Sequence, residues 1–203
     1  MTLINHGELD GVTAILGGSF DPIHLGHLHI AKQIITRSLV AKVLFMPNGK
    51  HNFKQETVLL KFSDRLGLIK EAISSEPRFD VSTEDKGGTG FTSDLMLKLQ
   101  RKKPDTRYVF VIGSDNLGTL QHWHNFAWLQ KHTHFLILPR PGYQLDLEMV
   151  ANIKASILQI ELSPVSSSDI RAKIALGESI QGLVPENLEK RIVQLYTSTN
   201  LQP

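Results

Sequence analysis

Two histidines three residues apart, His24 and His27, lie within Gly17-Gly18-Ser19-Phe20-Asp21-Pro22-Ile23-His24-Leu25-Gly26-His27. The residue types suit phosphate chemistry. Small residues let a backbone approach an anion closely, and the first N–H groups of a helix point at it. Gly18, Ser19, Phe20 and Gly26 are the backbone positions expected to line such an anion. Imidazoles three positions apart around a helix start can face the same bound group. A second set lies far along the chain, in Val165-Ser166-Ser167-Ser168-Asp169-Ile170-Arg171. There Ser166 and Ser168 offer hydroxyls at a helix start and Arg171 offers a fixed charge, the makings of a second anion site. A glycine pair or a serine N-cap in isolation would carry no such meaning; it is the coincidence of turn, anion site and paired imidazoles that does.

These residues need elements to position them. The apolar run Val12 to Leu16 predicts a strand ahead of the glycines, and Leu28, Ala31, Ile35 and Leu39 predict a helix after them. Lys42 to Met46 reads as a second strand, closed by Pro47-Asn48-Gly49, and the loop through Gln55 carries Lys50, His51 and Lys54. A helix follows from Leu59 to Ile73, then a short strand over Phe79–Ser82. Thr92 is placed to cap the segment containing Leu95, Leu97 and Leu99. Tyr108 to Ile112 is continuously apolar, as a central parallel strand should be. Phe126–Gln130 reads as helix, Phe135–Leu138 as strand, Leu145–Ile153 as helix and Leu158–Leu162 as strand. One helix opens at Ser166–Ser168 and runs through Leu176, and a final one runs from near Pro185 to Tyr196. Alternating strands and helices predict an α/β fold, a Rossmann-like doubly wound parallel sheet with helices on both faces. Ligands bind such sheets beyond the carboxyl ends of the strands. The candidate residues all follow strand ends. No linker divides the chain, so residues 1–203 are expected to form one domain, its helices from about residue 166 completing the site.

Composition sets limits. The 203 residues are 41% hydrophobic and 21% charged with a net charge of +2, which argues for a globular protein and against bulk nucleic-acid binding. There is no cysteine, which excludes disulfides and thiolate zinc sites and fits a reducing cytoplasm. No apolar run approaches membrane-spanning length, and Met1 to Gly11 does not read as a secretory signal. His122, His124, His132 and His134 have no metal-ligand spacing and read as surface or packing residues, so no protein metal site is expected.

The string around His24-Leu25-Gly26-His27 resembles the H-x-G-H signature of the nucleotidyltransferases, and its flanks are most similar to the bacterial nicotinate-nucleotide adenylyltransferases. Val165 to Arg171 resembles that family's I-S-x-T-x-I-R pattern, Gly113-Ser114-Asp115-Asn116-Leu117 with Trp123 its I-G-x-D-x-L…W segment, Gly90-Phe91-Thr92 its S-Y-T, and Arg140-Pro141-Gly142-Tyr143 its R-P-G-Y. The chain departs at Pro47 to Lys54, where the family reads P-x-x-x-P-P-H-K or -R. Both inner prolines are missing and Phe53 fills the histidine slot. The resemblance implies adenylyl transfer from ATP, with Mg2+, to nicotinate mononucleotide, giving nicotinate adenine dinucleotide and pyrophosphate. It implies that His24, His27, Lys54 and Arg171 act on the phosphates, with Ser166, Ser168 and Ile170 holding ATP. Thr92, Gly113, Asp115, Trp123 and Arg140 are implied to receive the acceptor. A relative using nicotinamide mononucleotide or pantetheine phosphate, and a non-catalytic nucleotide sensor on the same fold, stand as alternatives.

Overall fold

The computed structural model describes residues 9–49 and 58–199. Six strands form one parallel sheet: β1 (Thr13–Gly18), β2 (Lys42–Pro47), β3 (Phe79–Val81), β4 (Tyr108–Gly113), β5 (His134–Leu138) and β6 (Lys154–Ile157). Their order is β3-β2-β1-β4-β5-β6, so the direction of winding reverses between β1 and β4. That reversal opens a crevice at the strand ends. The register makes it concrete. β1 pairs with β2 over its whole length, through Gly18 opposite Pro47, but with β4 only over Thr13–Ile15. Beyond Ile15 and Phe110 the two central strands part.

Strand side chains alternate between two cores. Ala14 and Leu16 of β1, Val109 and Val111 of β4, and Leu136 and Leu138 of β5 point to one face. There they meet helices α1 (Leu25–Arg37), α2 (Phe62–Ala72), α7 (Ser167–Ala175) and α8 (Glu189–Thr199). Ile15, Phe110, Ile112, Phe135 and Ile137 point to the other face, toward α3 (Thr92–Lys102), α4 (Leu117–Leu120) and α5 (Phe126–His132). Helices on both faces bear out the doubly wound reading. No helix among the described residues is long and apolar enough to cross a membrane.

Three local expectations differ from the structure. The strand expected at Leu158–Leu162 lies at Lys154–Ile157, and the helix before it, α6, is confined to Leu147–Ala151 with Asp146 as its cap. Leu158 still donates its N–H to the Ile137 carbonyl at 2.9 Å, and then the chain leaves the sheet. Its extended course onward is satisfied by a side chain. The buried Gln33 amide of α1 donates to the Glu161 carbonyl at 2.6 Å and accepts from the Glu161 N–H at 2.9 Å. Thr92, expected as the cap of α3, is its first helical residue; Phe91 takes the cap position and supplies no side-chain bond. The Thr89 hydroxyl steadies the approach to the helix, accepting the Phe91 N–H at 3.2 Å and donating to Asp94 of the first turn at 2.7 Å.

Candidate active site

β1 runs to the second glycine, and residues 19–24 carry the chain into α1. Phe20 adopts a positive φ of 49°, a conformation that costs a bulky residue strain. Its ring folds back over Gly18, where a Cβ would come within 3.2 Å of it. The ring is buried, 5.7 Å from that of Phe45, and stands edge-on to His27 at 4.8 Å. The Phe20 side chain therefore supports the site from beneath.

His24 occupies the N-cap of α1 with extended backbone. Its ring stacks on that of His27, with centroids 3.7 Å apart. Gly26 makes room for this. A Cβ there would lie 2.9 Å from His24 Nδ1 and 3.2 Å from the Val165 carbonyl. His27 Nδ1 accepts the backbone N–H of His24 at 3.3 Å, which assigns the His27 proton to Nε2. Burial lowers the His24 pKa from 6.5 to about 4. Burial also pushes His27 well down, assisted by the neighbouring His24 and by the positive charge of Arg140. The pair is thus neutral at pH 7, two N–H donors rather than two cations, and a bound anion would draw protons toward them. The helix start is less open than expected. The Leu25 N–H is taken by the Leu183 carbonyl at 2.9 Å, and the His27 N–H by the His24 carbonyl at 3.0 Å.

Beneath the turn lies a buried polar cluster that sequence reasoning missed. The Asp21 carboxylate accepts the N–H groups of Leu59 at 2.8 Å and Leu60 at 3.1 Å, and the Tyr196 hydroxyl at 2.6 Å. Arg65, also buried, donates to the carbonyls of Ser19 at 2.6 Å and Asn48 at 2.9 Å, joining the ends of β1 and β2. A signal was present. Arg65 sits on the apolar stripe of α2, four residues before Ile69 and three after Phe62, where a charge must find partners.

The second motif packs onto this turn. Arg171 donates to the Asp21 carbonyl at 2.7 Å and to Ser168 Oγ at 3.3 Å, and Ser167 Oγ donates to the Pro22 carbonyl at 2.9 Å. Ser166 caps α7 through the Asp169 N–H at 3.1 Å, and its hydroxyl also binds the Asp169 carboxylate at 2.7 Å. Ile170 departs from expectation. Its side chain is fully buried in the core and its N–H is held by the Ser166 carbonyl, so it presents no group to a ligand.

Across the crevice, β4 ends at Gly113. A Cβ there would come within 2.2 Å of Asp115 Oδ1 and 2.5 Å of Arg140 Nε. Only glycine permits that pair to meet over the strand end, where Arg140 and Asp115 form an ion pair at 3.2 Å. Ser114 Oγ accepts the Arg140 N–H at 2.9 Å, and Asn116 donates to Asp115 at 3.2 Å. Trp123 is half-buried and edge-on to Phe110, and Thr92 lies at the head of α3. Lys54, with Lys50 and His51, lies outside the described residues. Histidines 24 and 27, Gly26 and the Ser166–Arg171 motif thus form one direct constellation. Gly113, Asp115 and Arg140 form a second, linked to the first by the field of Arg140 on His27.

A model of the cytidylyltransferase-like family matches residues 15–173, a span that holds both constellations. The chain belongs to the cytidylyltransferase-like family. Within the family it is similar to proteins named probable nicotinate-nucleotide adenylyltransferase. The one from Clostridium tetani is 33% identical over 183 residues, covering 85% of this chain and 92% of the relative. The one from Lactiplantibacillus plantarum is 36% identical over 175 residues, covering 85% and 81%. The fold matches that of Plasmodium falciparum nicotinic acid mononucleotide adenylyltransferase in two solved structures. The one complexed with NaAD has a TM-score of 0.71 and 20% identity and covers 93% of this chain and 96% of that one. The one complexed with APC has a TM-score of 0.76 and 19% identity and covers 95% and 98%.

Proposed function

We propose that the chain is a nicotinate-nucleotide adenylyltransferase acting in the cytoplasm as a single nucleotidyltransferase domain. An oxygen of the nicotinate mononucleotide phosphate attacks the α-phosphorus of ATP. The bond from that phosphorus to the bridging oxygen breaks, and pyrophosphate leaves with nicotinate adenine dinucleotide as the other product. The observation that carries this reading is the stacked His24–His27 pair at the mouth of a parallel-sheet crevice, in a chain that is one-third identical to relatives of that name. The nucleophile is already an anion at neutral pH, so the protein has only to position it and stabilise charge.

The protonated Nε2 of His27 supplies a donor for a phosphate oxygen, with His24 beside it. Arg171 carries a fixed charge on the same side, and Lys54 is assigned there by family pattern. Gly18, Ser19 and Gly26 keep the approach to the turn small, while Ser166 and Ser168 offer hydroxyls at the head of α7. The α7 contacts to the carbonyls of Asp21 and Pro22 support the view that the helices from residue 166 onward complete the site. Asp115 is suited to ribose hydroxyls once Arg140 turns from it to a phosphate, and Thr92 and Trp123 flank the acceptor ring. Magnesium is assigned to the triphosphate and enters with ATP as substrate.

The test is a purified-enzyme assay with ATP, Mg2+ and a choice of acceptors. Nicotinate adenine dinucleotide and pyrophosphate should form in equal amounts. The specificity constant should favour nicotinate over nicotinamide mononucleotide by about tenfold or more, since each buried donor that a carboxylate satisfies and an amide NH2 leaves unpaired costs roughly 1–3 kcal/mol. His27→Ala should reduce turnover about a hundredfold or more. Equal use of acid and amide would overturn the acceptor assignment, and full turnover by His27→Ala would overturn the role of the pair.

A further inference from the structure

His124 was read from sequence as a packing or surface residue. Its surroundings are more specific than that. The imidazole lies flat on Phe91, with ring centroids 4.3 Å apart and planes 18° from parallel. Its Nδ1 is 3.1 Å from the hydroxyl of Ser93, a residue with no exposure, and 4.0 Å from the Asp94 carboxylate. Asp94 in turn accepts the Thr89 hydroxyl. The histidine side chain is half exposed, so this is not core packing. It is a pin, made of one stack and one hydrogen bond, that fastens the segment after α4 to the head of α3.

The position of the pin gives it meaning. On one side it holds Phe91 and Ser93, the residues flanking Thr92. On the other it belongs to the residue following Trp123. The two groups assigned to the acceptor's ring lie on separate segments, Thr92 at the head of α3 and Trp123 in the turn between α4 and α5, and His124 ties the two segments together. α4 is a single turn of four residues and α5 begins at Phe126, with Asn125 in a left-handed conformation between them. A short, sharply turned segment of this kind has little regular structure to hold it in place.

We propose that His124 is a positioning residue for the acceptor site, holding Trp123 opposite Thr92 before the mononucleotide arrives. The proposal rests on the acceptor reading above and extends it to a side chain outside the matched motifs. Pre-arranging the slot lowers the ordering cost of binding and leaves the chemical step alone.

The test is steady-state kinetics on the full chain together with amide hydrogen exchange. His124→Ala should raise the KM for nicotinate mononucleotide about tenfold, with kcat and the KM for ATP within twofold of wild type. His124→Phe keeps the stack and His124→Asn keeps a hydrogen-bonding group, so each should recover part of the loss. Ser93→Ala combined with His124→Ala should be no worse than His124→Ala alone, because the two share one interaction. Exchange over residues 117–125 should speed up about tenfold in His124→Ala even without substrate. An unchanged acceptor KM, or an ATP KM that rises in parallel, would overturn the proposal. So would unchanged exchange, a measurement that stands even if the wild-type enzyme proves to use another acceptor. A wild type inactive on nicotinate mononucleotide would instead sink the acceptor reading and leave the pin to be judged by exchange.

Discussion

The paired imidazoles are costly to charge. A histidine buried neutral has a lower pKa folded than unfolded, so between the two values the unfolded chain binds more protons. For His24 that window runs from about 4, its value in the fold, to 6.5. Its contribution to stability is fully present above pH 6.5 and is lost as the pH falls toward 4. The shift corresponds to a loss on the order of 3 kcal/mol. His27, lowered for the same first reason, adds to the slope. Urea denaturation at pH 7.5, 6 and 5 should therefore show a falling midpoint, and His24→Gln should flatten the fall. A wild-type midpoint that holds constant over that range would show that the rings are hydrated. At this scale the sequence was informative about which residues matter: the spacing of His24, Gly26 and His27 was enough to suggest a common anion. It could not disclose that the rings stack, that His27 Nδ1 is occupied by the His24 N–H, or that Ile170 turns into the core, because each depends on how the folded chain packs.

The strand ends show what an element contributes beyond its own residues. β4 was plain from its unbroken apolar run, and its last residue had to be glycine for a reason visible only in three dimensions. The Asp115 carboxylate and the Arg140 guanidinium occupy the space a side chain would take. Gly113→Ala should push both aside. The obstructing atoms are ends of flexible, partly exposed side chains, so the fold should tolerate the change, with melting within about 3 °C of wild type. The specificity constant for the mononucleotide should fall about a hundredfold, in line with two displaced polar contacts. An active Gly113→Ala enzyme would show that the pair can re-form elsewhere. β6 was misread for the opposite reason. Lys154-Ala155-Ser156-Ile157 has little apolar signal because it is an edge strand, and its pairing comes from β5 alone. The Thr89 bond was not legible because its hydroxyl reaches across Gly90, at φ 78°, to the N–H of the cap residue Phe91 and not into the helix.

At the scale of the whole molecule, a parallel sheet with helices on both faces followed from the alternation of patterns along the chain, whereas the strand order comes from the pairing itself. Nor did the cluster that ties the two ends together follow from that alternation, since nothing in local spacing relates Asp21 to Tyr196. Burial, followed by the hydrogen bond to Asp21, raises the Tyr196 pKa, so the phenol stays protonated and donates throughout the physiological range. Tyr196→Phe removes a bond to a buried carboxylate. It should cost about 2 kcal/mol, or roughly 4–8 °C in melting temperature by calorimetry, with a smaller loss of turnover. A shift under 1 °C would mean that the Leu59 and Leu60 N–H groups suffice to hold Asp21.

That long-range bond also bears on the order of events during synthesis. The glycine turn and both histidines leave the ribosome early, whereas the phenol that secures Asp21 lies 175 positions later. A domain generally folds as a unit. Here the turn that carries His24 and His27 must wait for α8 to dock before its scaffold is complete. A growing chain thus displays its paired imidazoles without the means to hold them still, and the turn is secured only with the closing helix.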